Sequence, residues 1–422
     1  MEHLLGMAAL LFVAATALYL ALRYPQIRIV LLAALLVRAG ASIFNVYVAP
    51  LPDSQADATT FELRAWDWSQ GGFIAALGHF TGPDSYFISW ILSLVYAITD
   101  RSQILAQSVS TLFGMGTVVL GWFLARDLWG ERAARKAAWV LALFPTLILY
   151  SALTMREAYI WFFLLLGLIG VARWARHGGV WPATGAIVAF IGATFFHGAL
   201  IIAVLAFLLL VLFRGVYRLL ALLPRRIPVY SVSAVVIAAL AFCVYAATDI
   251  SLPKVGTFEQ MLEVERVLER AHDSTRDSAA YPEWTVPQSP IELLYKGPVR
   301  ITYFMFSPFP WDVDSAFHLI GLFDGILYIA IALLLWRNRK LIKEDPGTRS
   351  IVFILTILIL AFGIAIGNFG TGLRHRAKFV AALIALAAPR LPRIVWGMKQ
   401  RRSLASTADR YYDQEMRVNP HL

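Results

Sequence analysis

Apolar runs about as long as a bilayer is thick recur along the whole chain, and this recurrence limits the available folds more than any other feature. A helix needs roughly 17 to 25 mostly apolar residues to cross the hydrocarbon layer, where backbone N–H and C=O groups find no partner outside the helix itself. Eleven such runs centre on residues 4–22, 27–48, 103–125, 136–152, 157–174, 180–196, 198–214, 229–247, 316–336, 350–367 and 378–396. The two that flank His197 also read as one long or broken helix, which shifts the count by one. With 59% hydrophobic and 15% charged residues among 422 and a mean hydropathy of +0.66, the apolar surface exceeds what a soluble core hides. The sequence predicts an all-α polytopic membrane bundle of about 11 transmembrane helices.

Lys and Arg in short loops mark the cytoplasmic side. They collect at Arg23 and Arg28, Arg126 to Lys136, Arg173 and Arg176, Arg214 to Arg226, Arg337 to Arg349 and Arg390 to Arg402. The loop 49–102 carries six acids against Arg64 and Arg101, which assigns it outside together with 248–315. Eleven spans then put the N-terminus outside and the C-terminus in the cytoplasm. The first run lacks a basic leader and a small-residue cleavage site, so it reads as a retained helix. Residues 1–398 form one transmembrane domain on this reading, and 399–422 a cytosolic tail. The net charge of +10 follows from these scattered inner loops and not from a nucleic-acid-binding face. Cys243, the one cysteine, reads as a buried apolar filler.

Function is expected on the outer face. In the first outer loop, residues 55–68 read as an interfacial helix with Phe61, Ala65 and Trp68 on one side. The apolar piece from Tyr86 to Ile98 is too short to span comfortably and reads as interfacial or re-entrant. The second loop holds a charged helical stretch from Phe258 to Arg270. Pro298-Val299-Arg300 and Ser307-Pro308-Phe309-Pro310-Trp311 then suggest a rigid lid.

Three groups of residues there have the chemistry of a site. Asp53 and Asp57 are placed to act as general base on a hydroxyl or to hold a divalent metal, or else are solvated acids with Asp57 capping the helix that follows. Arg156 and Glu157, at one helix end, suit a phosphate and an acceptor hydroxyl, although Glu157 near a helix N-terminus is also explained by the helix dipole. His197, in a tight turn, is an acid, base or hydrogen-bond donor, or a structural histidine. Arg374, His375, Arg376 and Lys378 follow glycines at 367, 370 and 372. Cations at the mouth of a membrane helix cost several kcal/mol unless they meet water, a cavity or an anion. Arginine forks match phosphate, and glycines let backbone N–H groups approach it. Arg300 joins the phosphate-binding candidates. Arg38, inside the second run, faces either a cavity or a neighbouring helix.

The chain has no Gly-x-x-x-x-Gly-Lys-Ser/Thr loop, dinucleotide fingerprint or His-Glu-x-x-His, which argues against a nucleotide-driven pump, a flavin or nicotinamide enzyme and a zinc protease. Weak internal repeats and paired broken helices, the usual marks of alternating access, are missing too, which counts against a flippase or transporter of lipid-linked sugars.

The run from Gly121 to Arg135, with Leu141 to Pro145 and Tyr150 to Glu157, resembles the cores of bacterial GT-C glycosyltransferases. Asp57, in Asp-Ala-x-x-Phe-x-x-x-Ala, falls where that class places the catalytic aspartate of its first outer loop. Ser307 to Trp311 and Gly367 to Arg376 are similar to segments of surface-polysaccharide membrane proteins, a group that overlaps Wzy- and EpsG-like polymerases. About a third of the chain carries the resemblance.

The resemblance implies transfer from a polyprenyl-phosphate or polyprenyl-diphosphate glycan at the outer face of the bacterial inner membrane. Asp57 is then the base, Asp53 and Glu157 support it, and Arg156, Arg374 and Arg376 hold the donor phosphate. His375 and His197 are secondary acid or hydrogen-bond candidates. Of the two versions the first choice is a polymerase joining diphosphate-linked repeats of a surface polysaccharide, which needs the cationic charge that Arg374 to Lys378 supply and no metal. A monosaccharide transferase using a monophosphate donor takes Mg or Mn in some cases. Membrane lipids and other polysaccharide-assembly proteins are the implied partners, and acceptor recognition falls to the loop 248–315.

Overall fold

A computed structural model describes residues 2–221, 236, 239–240, 243–248, 251–274 and 279–392. Among them there are helices and two isolated bridges but no strand. Seven helices are long and apolar enough to cross a membrane. These are α1 (Glu2–Arg23), α2 (Arg28–Tyr47, entered through a short turn at Pro25–Ile27), α6 (Gln103–Trp129), α9 (Glu157–His177), α11 (Ile201–Ala221, entered from Gly198), α15 (Ala316–Glu344) and α16 (Pro346–Ala365). The chain is a multi-pass membrane protein. The run 229–247 lies largely outside the described residues, as does the tail, while Cys243 is exposed, not buried.

The other expected spans depart for physical reasons. The run 136–152 is two helices, α7 (Glu131–Leu143) and α8 (Pro145–Ala152), bent by 55°. Pro145 has no N–H for the Leu141 carbonyl, which interrupts the ladder. Arg38, buried in α2, fills the gap with Nη1 donating to Ala142 O at 2.7 Å and Nη2 to Leu141 O at 3.0 Å. Of its two expected settings, Arg38 takes the neighbouring helix. The run 180–196 forms α10 (Val180–Phe196), which is shorter than the spans. His197 is extended, so α10 and α11 are separate helices.

The last run begins earlier than its apolar residues do. Asn368 caps α17 (Phe369–Ala387) by accepting from Thr371 N at 3.2 Å, so the first three turns hold the cations and the rest is apolar. From Arg376 to Ala387 every residue is buried, and its small alanines let other helices approach. Trp161 of α9 donates to Ala377 O at 2.7 Å, Trp129 of α6 to Ala385 O at 3.0 Å and Asn338 of α15 to Leu386 O at 3.2 Å. With α6 and α9, α17 forms the centre of the bundle.

Short helices gather at the end of the bundle where α9 and α17 begin. They include α3 (Asp57–Ser69), α4 (Gly72–Gly78) and α5 (Phe87–Thr99). Glu62 of α3, buried, takes two bonds from Arg101 at 2.7 and 2.9 Å and one from Tyr96 at 3.0 Å. Phe61 and Ala65 are buried against protein, and Trp68 is half-buried. The charged stretch is two helices, α12 (Phe258–Leu262) and α13 (Val264–Asp273). Within the proline-bearing stretch, α14 runs from Pro290 to Phe306 with Pro298 inside it.

At the opposite end, Arg173 bonds Asp127 at 2.8 Å and Arg176 bonds Asp345 at 2.7 Å. These bonds clasp α6, α9 and the turn between α15 and α16.

Candidate functional site

At the end with the short helices, the structure brings most of the predicted residues into one cluster. The segment before α3 is tied to α2 by Asn45 Oδ1, which accepts from Leu51 N at 2.8 Å. Within it Asp53 sits at φ +63°, a conformation that Asp tolerates better than most residues. Its carboxylate accepts from Tyr150 of α8 at 2.8 Å.

Asp57 is the first residue of α3 and does not cap it. Its carboxylate pairs with Arg374, and with side chains 40% and 22% exposed the pair is open to a ligand. One turn further along α17, Lys378 Nζ lies 3.6 Å from Glu157 Oε1, with both side chains almost fully buried. Arg374 and Lys378 share a helix face because they are four residues apart.

Arg156 packs over the Phe61 ring at 5.0 Å and has no ion-pair partner among the described residues. The cluster thus holds three carboxylates (Asp53, Asp57, Glu157) and three cations (Arg156, Arg374, Lys378). Two of each are paired with one another, which leaves Asp53 on a tyrosine and Arg156 on a phenyl ring. The His375 ring meets His197 edge-on at 5.0 Å, and both lie against Phe362.

Two predicted phosphate ligands lie elsewhere. Arg376 follows Arg374 by two residues and therefore points roughly 200° around the helix, toward α15. All five of its N–H groups are used by protein: Asp324 at 2.7 and 3.0 Å, Gly321 O at 3.2 Å, Met305 O at 3.4 Å and Ser307 O. The other Asp324 oxygen accepts from Thr146. With no donor left for an anion, Arg376 is a buried brace among α8, α14, α15 and α17.

Arg300, fully buried in α14, donates to Ile364 O at 2.9 Å, Ile366 O at 3.0 Å and Ala271 O at 3.3 Å. It pins the end of α16 to α13. Burial lowers its pKa to about 10, so it remains charged at neutral pH.

The glycines do not line an anion cradle. Gly370 and Gly372 are inside α17, and a Cβ on Gly372 would stand 2.7 Å from the Tyr281 hydroxyl. The contact matters because Tyr281 N donates to Gly367 O at 2.7 Å and Phe369 N to Ala279 O at 2.8 Å. These bonds dock the second loop on the start of α17.

Among the described residues, no group of three His, Cys, Asp or Glu side chains gathers to hold a metal ion. Mg²⁺ takes near-octahedral oxygen ligands. Asp53 and Asp57 are held by Tyr150 and Arg374, and no step below passes through a metal.

No family model matches the chain, and no solved structure matches it. Over 173 residues, 40% of this chain, it is 29% identical to the protein named "Putative mannosyltransferase YkcB" of Bacillus subtilis (strain 168). The match covers 24% of that protein, so the chain spans well under half of its relative's length.

Proposed function

We propose that this protein is a membrane glycosyltransferase that moves a sugar from a polyprenyl-phosphate donor to an acceptor hydroxyl at the outer face of a bacterial inner membrane. The observation that carries the reading is the half-open Asp57–Arg374 pair beside Arg156, a cation with no carboxylate of its own among the described residues. The similarity to a protein named as a mannosyltransferase points the same way, and so does the GT-C resemblance around Asp57. The basic ends of α6, α9 and α15 lie opposite the cluster, which the positive-inside rule places in the cytoplasm.

The chemistry follows from the pairing. The donor phosphate draws Arg374 off Asp57 and completes its charge neutralisation with Arg156. Asp57, released from its partner, is free to accept a hydrogen bond from the acceptor hydroxyl. The acceptor oxygen attacks the anomeric carbon, the carbon–oxygen bond to phosphate breaks, and the hydroxyl proton passes to Asp57. Arg156 and Arg374 stabilise the charge on the departing polyprenyl phosphate. Asp53 and Tyr150 hold the segment that carries Asp57, and Glu157 with Lys378 fixes the start of α9 against α17.

Transfer of a single sugar from a monophosphate donor fits this site better than polymerisation. The polymerase reading drew on the cations from Arg374 to Lys378 to meet a diphosphate. Arg376 is fully bonded away from the cluster and Lys378 is matched by Glu157, so that excess charge is absent.

The test is the purified full-length protein in nanodiscs with a defined polyprenyl-phosphate sugar and a matched diphosphate-linked repeat unit. One addition from the monophosphate donor is the expected product. A ladder from the diphosphate would make it a polymerase, and movement of intact donor between leaflets without covalent change would make it a transporter.

A further inference from the structure

A small pocket behind the second outer loop is used by none of this chemistry. It is lined by Pro282, Trp311, Asp312, Asp314, His318 and Phe369, and has a volume of about 210 Å³. We propose that it is a carbohydrate subsite holding one pyranose ring of the substrate glycan, with Trp311 as its stacking platform. The inference rests on the glycosyl-transfer reading for the identity of its ligand.

The lining matches the two chemistries of a sugar ring. A pyranose has an apolar C–H face and a rim of hydroxyls, so it needs a flat aromatic surface beside oxygen acceptors. Trp311 lies on Phe309 with ring centroids 5.0 Å apart and planes 17° from parallel. That stack covers one indole face, and at 75% exposure the residue leaves the other uncovered.

Acceptors stand next to it. Asp312 Oδ2 takes the Phe309 N–H at 3.0 Å, which fixes the carboxylate and leaves its other oxygen available. His318 Nδ1 faces Asp314 Oδ1 at 2.7 Å and Asp312 O at 3.0 Å. Two oxygen neighbours assign a proton to Nδ1, which leaves Nε2 to hydrogen-bond a sugar hydroxyl. The volume lies below the range of about 300 to 1,000 Å³ typical of drug-sized ligands, which suits a single ring.

Position supports the role. Phe369 opens α17 five residues before Arg374, roughly 7.5 Å along the axis at the helical rise. The pocket and the proposed transfer point therefore lie at the same end of α17, about 140° apart around it.

Saturation-transfer NMR on the full-length protein in nanodiscs tests the subsite, with free glucose, mannose, galactose and N-acetylglucosamine as probes. At least one of them is expected to bind. Its affinity should drop by about tenfold or more, a loss that an exposed platform residue can cause without unfolding the protein, in Trp311→Ala and in Asp314→Asn. Trp311→Phe should retain binding, and Asp57→Asn, which removes transfer, should leave it unchanged. If none of the four sugars binds, or if Trp311→Ala binds as wild type does, the subsite is wrong and Trp311 is an interfacial anchor. Sugar transfer without Trp311-dependent binding overturns the subsite alone; Trp311-dependent binding without transfer upholds the subsite and overturns the proposed reaction.

Discussion

Arg374, in the second turn of α17, is ion-paired with Asp57, the first residue of α3, although 317 positions separate them. The pair joins the loop 49–102 to the central helix, and it is partly exposed where the neighbouring Lys378–Glu157 pair is sealed. An exposed pair contributes little to stability, about 0 to 1 kcal/mol, so its removal reports on chemistry. Asp57→Asn should lower the turnover rate by about 10²- to 10⁴-fold, the usual contribution of a general base, with an unchanged unfolding midpoint. Arg374→Gln should raise the KM for the lipid donor as well. Wild-type turnover in Asp57→Asn would reject Asp57 as the base.

Arg376 makes the opposite prediction. Breaking a buried ion pair by removing one partner costs about 3 to 5 kcal/mol, whereas replacing both with apolar residues is often neutral. Arg376→Gln should therefore unfold well before wild type in a mixed-micelle denaturation series. Arg376→Met combined with Asp324→Leu should recover most of the loss and retain transfer activity. If that double variant is stable and inactive, Arg376 belongs to the phosphate site after all.

The membrane class was legible because apolar run length answers directly to bilayer thickness. The site was legible in part, since Asp57, Arg156, Glu157 and Arg374 do converge. The reading of Arg374-His375-Arg376 as one clamp failed on a point the sequence contains. Asn368 is a good N-cap, and a helix begun at Phe369 sends Arg374 and Arg376 to opposite faces. Pro298 stands inside α14, whereas Pro145 divides the run 136–152 that was expected to be one span, because a proline's cost depends on whether its neighbours re-satisfy the freed carbonyl. The partners that decide this, such as Arg38 for Leu141 and Ala142, lie about a hundred residues away, beyond any local pattern.

Arg38 and Pro145 should be energetically coupled for that reason. Arg38→Met removes a costly buried cation but strands two carbonyls at about 1 to 3 kcal/mol each, so the sign of the single change is a near balance. With Pro145→Ala, residue 145 regains an N–H for Leu141 O, and the loss of Arg38 matters less. A double-mutant cycle on unfolding free energy should give a coupling of about 0.5 to 3 kcal/mol. Strict additivity would mean that Arg38 does not serve the break.

Asp345 links the end clasp to pH. Burial raises its pKa, but the hydrogen bonds from Arg176 at 2.7 Å and from Thr348 N at 2.7 Å outweigh burial and hold it below its ordinary 3.8. A carboxylate depressed in the folded state stabilises the fold at every pH above its unfolded value, and that stability is lost as pH falls through the folded value. The unfolding midpoint should therefore decline below about pH 4 in part through this residue. Asp345→Asn keeps one acceptor for the Thr348 N–H, so the N-cap of α16 survives, while the charge and the acceptor that faces Arg176 are both removed. The variant should be less stable than wild type at neutral pH and should converge with it in acid. Parallel curves at all pH values would show that the Arg176–Asp345 pair adds nothing to the clasp beyond its hydrogen bonds.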